Sequence, residues 1–525
     1  MSGYPTTMEA RPSVGYAIDG LDLEGIRRSL QEGMITSEGL LYLSRISEVN
    51  DQVRAVGCII PEAKSIAIQR DQERQNGHVY GPLHGIPFLV KDTFITLDQT
   101  HTTGGPYALA GARYNVESSI ITKLRQAGAI VLGKTNLSEW GMARSSMSKS
   151  GWSALYGQAV GGFYESQDPQ GSSSGSSIAA SLKLASFTIG GEVCTSFSIV
   201  YRRTEKWGRW PQTNCWISVP GWNPEQDSVG PITQYVKDSA IILNVIAGND
   251  ILDSATDDIP FETPPDYEAV CQTNALDSIR IAVPRSVYQV AQSDPEVDVA
   301  FRGAISRFRE LGAIIVEDID FENWKPGSGQ REDLFGDILL REAFEEFFAG
   351  LAVNPHGIKN ISDLIEVTKN ISEEEYSECG ADWFESARDA PGTSMSEEFF
   401  AVKGRMEHLG DDIARLLDTF DCDVLLAPSS TDLPLDLGRL PGIQIPLGFY
   451  SSNREVVRNF RGMVTKAPNI PYGITIAGRR FSEEKLIGCA YAFEQATLVV
   501  NQNEAKLSIK PHFGGQETAG KAYKF

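Results

Sequence analysis

The sequence predicts an α/β fold, a mostly parallel mixed sheet covered by helices on both faces. Three observations predict it. Helical and strand-like patterns alternate along the chain. The strand patterns are short and almost continuously apolar, which is how strands buried on both faces read. Helix-then-strand units recur with a glycine at the junction, the arrangement that places helices over a parallel sheet.

From Ile18 to Gln75 apolar residues fall three or four apart, as in "LDLEGIRRSLQEGMITSEGLLYLSRISEVND". This stretch predicts a helical layer, with Thr36 or Ser37 as caps. In "GPLHGIPFLVKD" the apolar run Ile86 to Val90 is set off by glycine and proline and predicts a buried strand ending at Lys91. In "NVESSIITKLRQAGAIVLGKTNLSEW" Val116, Ile120, Leu124 and Ala127 share a helical face, Gly128 stops the helix, and "AIVL" follows as a strand. "DPQGSSSGSSIAASLKLA" opens as a loop and becomes a helix near Ser176, with Ile178, Leu182 and Ala185 on one face. The helix-then-strand unit returns in "DPEVDVAFRGAISRFRELGAIIVED". There Asp294 can cap, Pro295 suits the first helical position, Val297, Phe301, Ile305 and Phe308 form the buried face, and Gly312 ends the helix. Further strands are expected at Ile279 to Val283, Asp423 to Pro428, Ile443 to Leu447 and Tyr472 to Gly478. Phe335 to Leu417 is acidic and helical without strand signals. The expected organisation is an N-terminal helical layer at 1–75, a main α/β domain at 76–500 with a helical cap at about 335–417, and a tail at 501–525.

With 525 residues, 41% hydrophobic and 22% charged, the chain has material for a sizeable core. No apolar run reaches the ~18 residues that suggest a membrane span. "MSGYPTTMEARPSVGYAIDG" has no basic start followed by an apolar block, so a secretory signal is not expected and a cytoplasmic setting is. Seven cysteines stand singly without CxxC spacing, which argues against a disulfide framework or a zinc site. A net charge of −22 disfavours nucleic acid and acidic membrane surfaces, since both are bound through Lys and Arg clusters. The expected partner is a small molecule, and a homodimer is left open.

A Gly/Ser loop feeding a helix exposes backbone N–H donors and hydroxyls, which suits an anion or a developing oxyanion. Alone, the loop reads equally as a linker or an elaborate cap. "GSSSG" also satisfies the nucleophile-elbow pattern GxSxG with Ser173 at its centre, but an elbow follows a hydrophobic strand and "YESQDPQ" is polar. "SMSK", Ser146 to Lys149, matches the short SxxK pattern, which chance supplies easily. No GxxxxGK[ST] follows a strand, and none of the six histidines stands in the context of a general base.

Read together, "GPLHGIPFLVKD", "AGAIVLGKTNLSEW", "DPQGSSSGSS", "QDSVGPI", "APSS" and "PYGITIAGRRFSEEKLIGCAYAFEQAT" resemble the amidase signature family, its plant and fungal branch in particular. The resemblance runs from about residue 20 to 498 and rests on the order of several motifs. It implies the amidase signature fold and hydrolysis of a small carboxamide to acid and amine or ammonia. It also implies a Ser-Ser-Lys triad without histidine, working through an acyl-enzyme with no metal or cofactor. By position, the lysine is Lys91, the bridging serine is Ser172, and the nucleophile, 24 residues further on, is Ser196. A serine hydroxyl needs a base in contact, and a lysine serves when burial keeps it neutral. The resemblance places the oxyanion donors just before the nucleophile, at Val193, Cys194 and Thr195.

The chain departs from the family around these residues. Where the family has glycines before the nucleophile, this chain has Val193, Cys194 and Thr195, and the family's "NGVVGLKPTVGLVSR.G" element is missing. Ser196 keeps the family's spacing from Ser172, whereas Ser198 keeps the local "SIV" context, so both remain candidates. Trp207, Trp210, Trp216 and Trp222 are spaced 3, 6 and 6 apart, like the glycines of the missing element. Tryptophan's one codon, TGG, read one base later always begins GG, which encodes glycine. Permitted codons for Lys206 to Asn223 then spell the missing element in full. We read residues 206–222 as family sequence in the wrong frame, with 193–205 unexplained. A second reading follows, a catalytically impaired homologue, because β-branched residues resist the backbone angles that glycine allows. An esterase using Ser173 is a remote third.

Overall fold

The computed structural model describes residues 20–192, 228–250, 256–257, 259–326 and 333–499. Two five-stranded sheets carry the core. The first contains β1 (Val56–Ile59), β2 (Pro87–Lys91), β3 (Ile130–Thr135), β4 (Phe187–Glu192) and β5 (Ser228–Ile232). Their spatial order is β1-β3-β2-β4-β5. Central β2 runs parallel to β3 and β4, while β1 and β5 add antiparallel edges. The second contains β6 (Arg280–Ala282), β7 (Ile314–Val316), β8 (Val424–Pro428), β9 (Gly442–Phe449) and β10 (Pro471–Ala477), in the order β9-β10-β8-β6-β7. Here β8, β6 and β7 are parallel, and β10 and β9 continue antiparallel. The architecture is therefore mixed, with helices against the sheets, and its strands are shared between two sheets.

Every residue of β2, β3 and β8 is buried. Successive side chains of a strand point to opposite faces, so both faces are covered, as continuous apolar runs require. Phe88 and Phe187, directly paired across β2 and β4, stack with ring centroids 5.0 Å apart. Such a contact is worth about 0.5–1.5 kcal/mol beyond burial, and it fixes the register that brings Lys91 to its neighbours. The Pro295–Glu310 helix follows the sequence closely. Asp294 accepts from Glu296 N at 3.2 Å, and Val297, Phe301, Ile305 and Phe308 are all buried.

Local differences have physical causes. The stretch read as helical up to Gln75 contains β1, because the Leu43–Val53 helix ends with Arg54 in a left-handed conformation (φ 47°). Asn50 then bonds both the N–H and the C=O of Val56 at 2.8 Å, turning the chain to the edge of β3. Thr36 caps a tight turn through Gly39 N instead of a helix, and Ser37 N bonds Asp71. Val116 precedes the Ser119–Gln126 helix and is 52% exposed, whereas Ile120 and Leu124 of the expected face are buried with Ile121, and Ala127 packs against the core half-buried. Between 333 and 419 the described elements are helices: Asp333–Ala349, Ile361–Asn370, Tyr376–Cys379, Asp382–Asp389, Glu397–Gly410 and Asp412–Thr419, with one 3-10 turn. Phe344 and Phe384 meet Trp140 edge to face at 5.1 and 6.0 Å, joining this helical region to the first sheet's loops. Among the described residues no helix is long and apolar enough to cross a membrane.

Candidate active site

The site forms where the C-terminal ends of β2, β3 and β4 meet the serine-rich loop. β2 carries Lys91 to the end of a wholly buried strand, leaving it 1% exposed. On one side Lys91 pairs with Thr135 of β3; on the other, the β2–β4 ladder ends one residue earlier, at Val90 with Ile189.

The loop turns through Gln170 (φ 47°) and Gly171 (φ 68°) into the helix Ser174–Ser181, all of it buried. Ser138, just after β3, holds the turn by donating its hydroxyl to Gly171 O (2.9 Å) and its N–H to Ser172 O (3.1 Å). Gly175 N donates to Asn136 O at 3.0 Å. A Cβ on Gly175 would stand 2.2 Å from that oxygen and 2.5 Å from Ala55 O, so the approach needs glycine. Ser176 Oγ meets Thr135 Oγ1 at 2.7 Å and donates to Ile189 O at 3.2 Å, while Thr188 Oγ1 donates to Ser176 O at 3.1 Å. Small hydroxyl residues thus let the helix lie close against β3 and β4 while satisfying their polar groups.

This packing brings Lys91 Nζ to 2.8 Å from Ser172 Oγ in a buried hydrogen bond, and to 3.3 Å from Gly191 O. Ser173 Oγ donates to the same carbonyl at 2.6 Å. Two of the residues singled out by sequence, 81 positions apart, are therefore in contact. Val193, Cys194, Thr195, Ser196 and Ser198 lie outside the described residues, as does the whole of 206–222.

A second buried lysine stands beside the first. Lys134 of β3 donates to Phe94 O at 2.5 Å and Thr102 Oγ1 at 2.8 Å, and burial holds its pKa below the ordinary lysine value. It staples the loop that follows β2. Asp92, also wholly buried, is pushed upward by burial against the opposing pull of Lys134. Its Oδ2 accepts from Thr103 Oγ1 at 2.6 Å and Tyr156 OH at 3.0 Å. Sequence reasoning passed over both, although the signal was present in the "VKD" and "GKT" motifs.

The rival motifs resolve into structural roles. Lys149 of "SMSK" pairs with Glu375 at 2.8 Å and lies over the Trp152 ring. Ser173 precedes a helix but follows a loop, without the strand an elbow requires. His84 bonds Arg70 O and His101 bonds Tyr156 OH, neither at a serine.

A sequence model of the family described as Amidase matches residues 40–487. The chain belongs to the amidase family. It is similar to a protein from Arthroderma benhamiae named as an amidase, 38% identical over 466 residues covering 87% of this chain and 78% of the relative. A relative from Arabidopsis thaliana, also named as an amidase, is 31% identical over 505 residues, covering 94% and 93%. Among solved structures, the native peptide amidase from Stenotrophomonas maltophilia has a TM-score of 0.82 at 27% identity, covering 94% of this chain and 100% of that one. These relationships make this chain an amidase-family hydrolase acting on amides, and they do not favour the impaired homologue.

Proposed function

We propose that this amidase hydrolyses a small carboxamide through Lys91, Ser172 and a serine nucleophile at Ser196, with Ser198 the neighbouring candidate. The observation that carries the reading is the buried 2.8 Å contact between Lys91 Nζ and Ser172 Oγ. A serine and a lysine sealed from water at this distance can exchange a proton without solvent reorganisation. The cycle needs the lysine as the neutral amine, and taking a cation out of water favours its neutral form.

In this reading Ser172 takes the nucleophile's proton and passes its own to Lys91. The serine oxygen attacks the amide carbon, and backbone N–H groups at 193–195 receive the oxyanion, each donor worth about 3 kcal/mol. Lys91 returns its proton through Ser172 to the leaving nitrogen, and the C–N bond breaks to leave an acyl-enzyme. Water, deprotonated along the same path, hydrolyses the ester and restores the serine. No step calls on a metal or cofactor. The expected location is the cytoplasm.

A fluorophosphonate probe followed by peptide mapping tests this. Label on Ser196 or Ser198, lost in Lys91→Ala, is the expected result. Label on Ser173 overturns it in favour of the esterase reading, and a folded protein that takes no label and cleaves no amide points to the impaired homologue. The amide panel should include a C-terminally amidated peptide, given the peptide amidase among the structural relatives.

A further inference from the structure

We propose that Ser173 is a positioning residue that replaces the missing rung between β2 and β4 and thereby aims the Lys91 amine at Ser172. The proposal rests on the Lys91–Ser172 reading given above.

The N–H and C=O of one strand residue point to the same side, so Gly191 directs both toward the β2 edge. The β2–β4 ladder has already ended there, at Val90 with Ile189. The Ser173 hydroxyl takes the vacant position. It donates to Gly191 O at 2.6 Å and accepts from Gly191 N at 3.2 Å, as a backbone partner would. Lys91 Nζ reaches the same carbonyl at 3.3 Å. Ser173 itself is 2% exposed, so water cannot substitute for it without rearrangement.

Glycine at 190 and 191 makes this arrangement possible. A Cβ on Gly190 would fall 3.0 Å from Ser173 Oγ and 2.7 Å from the Ile232 side chain. At Gly191 a Cβ would stand 3.8 Å from Lys91 Nζ, against the amine.

Two chemical consequences follow. A hydroxyl has one proton, and that of Ser173 is committed to a carbonyl, so it is not held by a base as a nucleophile's would be. For Lys91, the N–H engaged by Gly191 O fixes the rotation of the amine, and with it the direction of the lone pair that must face Ser172. Removing the Ser173 hydroxyl leaves Gly191 O to Lys91 without competition. A stronger bond to an acceptor carbonyl favours the ammonium, so the acid limb of the pH profile should move to higher pH. Among the described residues the buried charged groups beside Lys91 are Lys134 and Asp92, which bond to Phe94, Thr102, Thr103 and Tyr156 and retain those partners when Ser173 is changed.

The test compares kcat, KM and the pH profile of kcat/KM in the full chain and in Ser173→Ala. We expect kcat to fall roughly tenfold to a hundredfold with KM held within about twofold, as misaimed groups cost rate more than binding. The acid limb should shift upward by about half a pH unit or more. A profile that superimposes on the parent with kcat unchanged overturns the proposal, as does fluorophosphonate label on Ser173. If the variant fails to fold, hydrogen exchange on the unaltered protein decides: slow exchange at the Gly191 amide is expected, and fast exchange overturns the rung. Failure of the underlying reading looks different, since Lys91→Ala would then keep its activity whatever Ser173→Ala does.

Discussion

Removing the Glu374 carboxylate should loosen the helical region from the sheet domain, and the structure sets the size of the effect. Glu374 is fully buried, with Arg144 at 1% exposure and Glu139 at 3%. Arg144 Nη1 reaches Glu139 at 2.6 Å and Glu374 at 3.1 Å, its Nη2 donates to Glu374 O at 2.8 Å, and its Nε donates to Gly380 O at 2.8 Å. Glu374 Oε1 also accepts from Ala108 N at 2.9 Å. One guanidinium therefore ties residues 374–380 to the segment after β3. Burial first, and then the neighbouring Glu139 charge, hold Glu374 well above the usual carboxylate range. Glu374→Ala deletes an acceptor of Arg144 and the acceptor of Ala108 N, and breaking a buried pair from one side costs about 3–5 kcal/mol. With an unfolding entropy of about 2.1 cal/mol/K per residue over 525 residues, that is about 3–5 °C in Tm. Glu374→Gln, which lacks only one acceptor, should cost about 1 kcal/mol. The pH sign is fixed by the raised value: the contribution is full below the unfolded pKa of about 4.3 and is lost as pH rises through the folded pKa. The glutamine variant should lose less stability than the parent on going to alkaline pH. Calorimetry and urea titration across pH measure both quantities. Equal damage from alanine and glutamine, or alanine within 1 kcal/mol of the parent, would refute the clamp.

Three further outcomes are expected. Gly175→Ala places a methyl 2.2 Å from Asn136 O and should destabilise by about 1–3 kcal/mol or more while separating Ser172 from Lys91; parent-like urea midpoints and kcat would contradict the close approach. Glu494, raised by burial to about 8, accepts from Val236 N at 3.1 Å, and Glu483 is raised to about 7, so stability should decline as pH rises from about 4.3 through these values. Glu494→Gln should flatten that decline, and unchanged urea midpoints between the two proteins at each pH would count against the assignment. Sequencing of the mature transcript across codons 190–231 should reveal a displaced reading frame over 206–222; a clean read in the present frame with matching peptides from the protein would end that explanation.

Where one local pattern dominated, the fold was legible in the sequence. The run ending at Lys91 became an all-buried strand, and the Asp294-capped helix buried the expected four residues. Short or glycine-rich strands were not legible. Val56–Ile59 has four residues and depends on Asn50 to turn the chain, and "FTIGGE" carries too little β-branched character to stand out from a loop. The Lys91–Ser172 contact was reached through ordered motifs, because no local periodicity relates Lys91 to a serine 81 residues away. Composition likewise could not rank the three consecutive serines of "GSSSG", whose roles depend on what each hydroxyl meets. Ser172 meets an amine and Ser173 meets both polar groups of Gly191, a residue brought there by an independent strand. Glycine at 175, 190 and 191 is the sequence trace of these contacts, since each omits a side chain where another group has to approach. The same reasoning bears on Val193, Cys194 and Thr195. If backbone N–H groups there receive an oxyanion, side chains stand where glycine would leave the backbone free to turn, so restoring glycine at 193–195 should raise kcat, and an unchanged kcat would count against the oxyanion assignment.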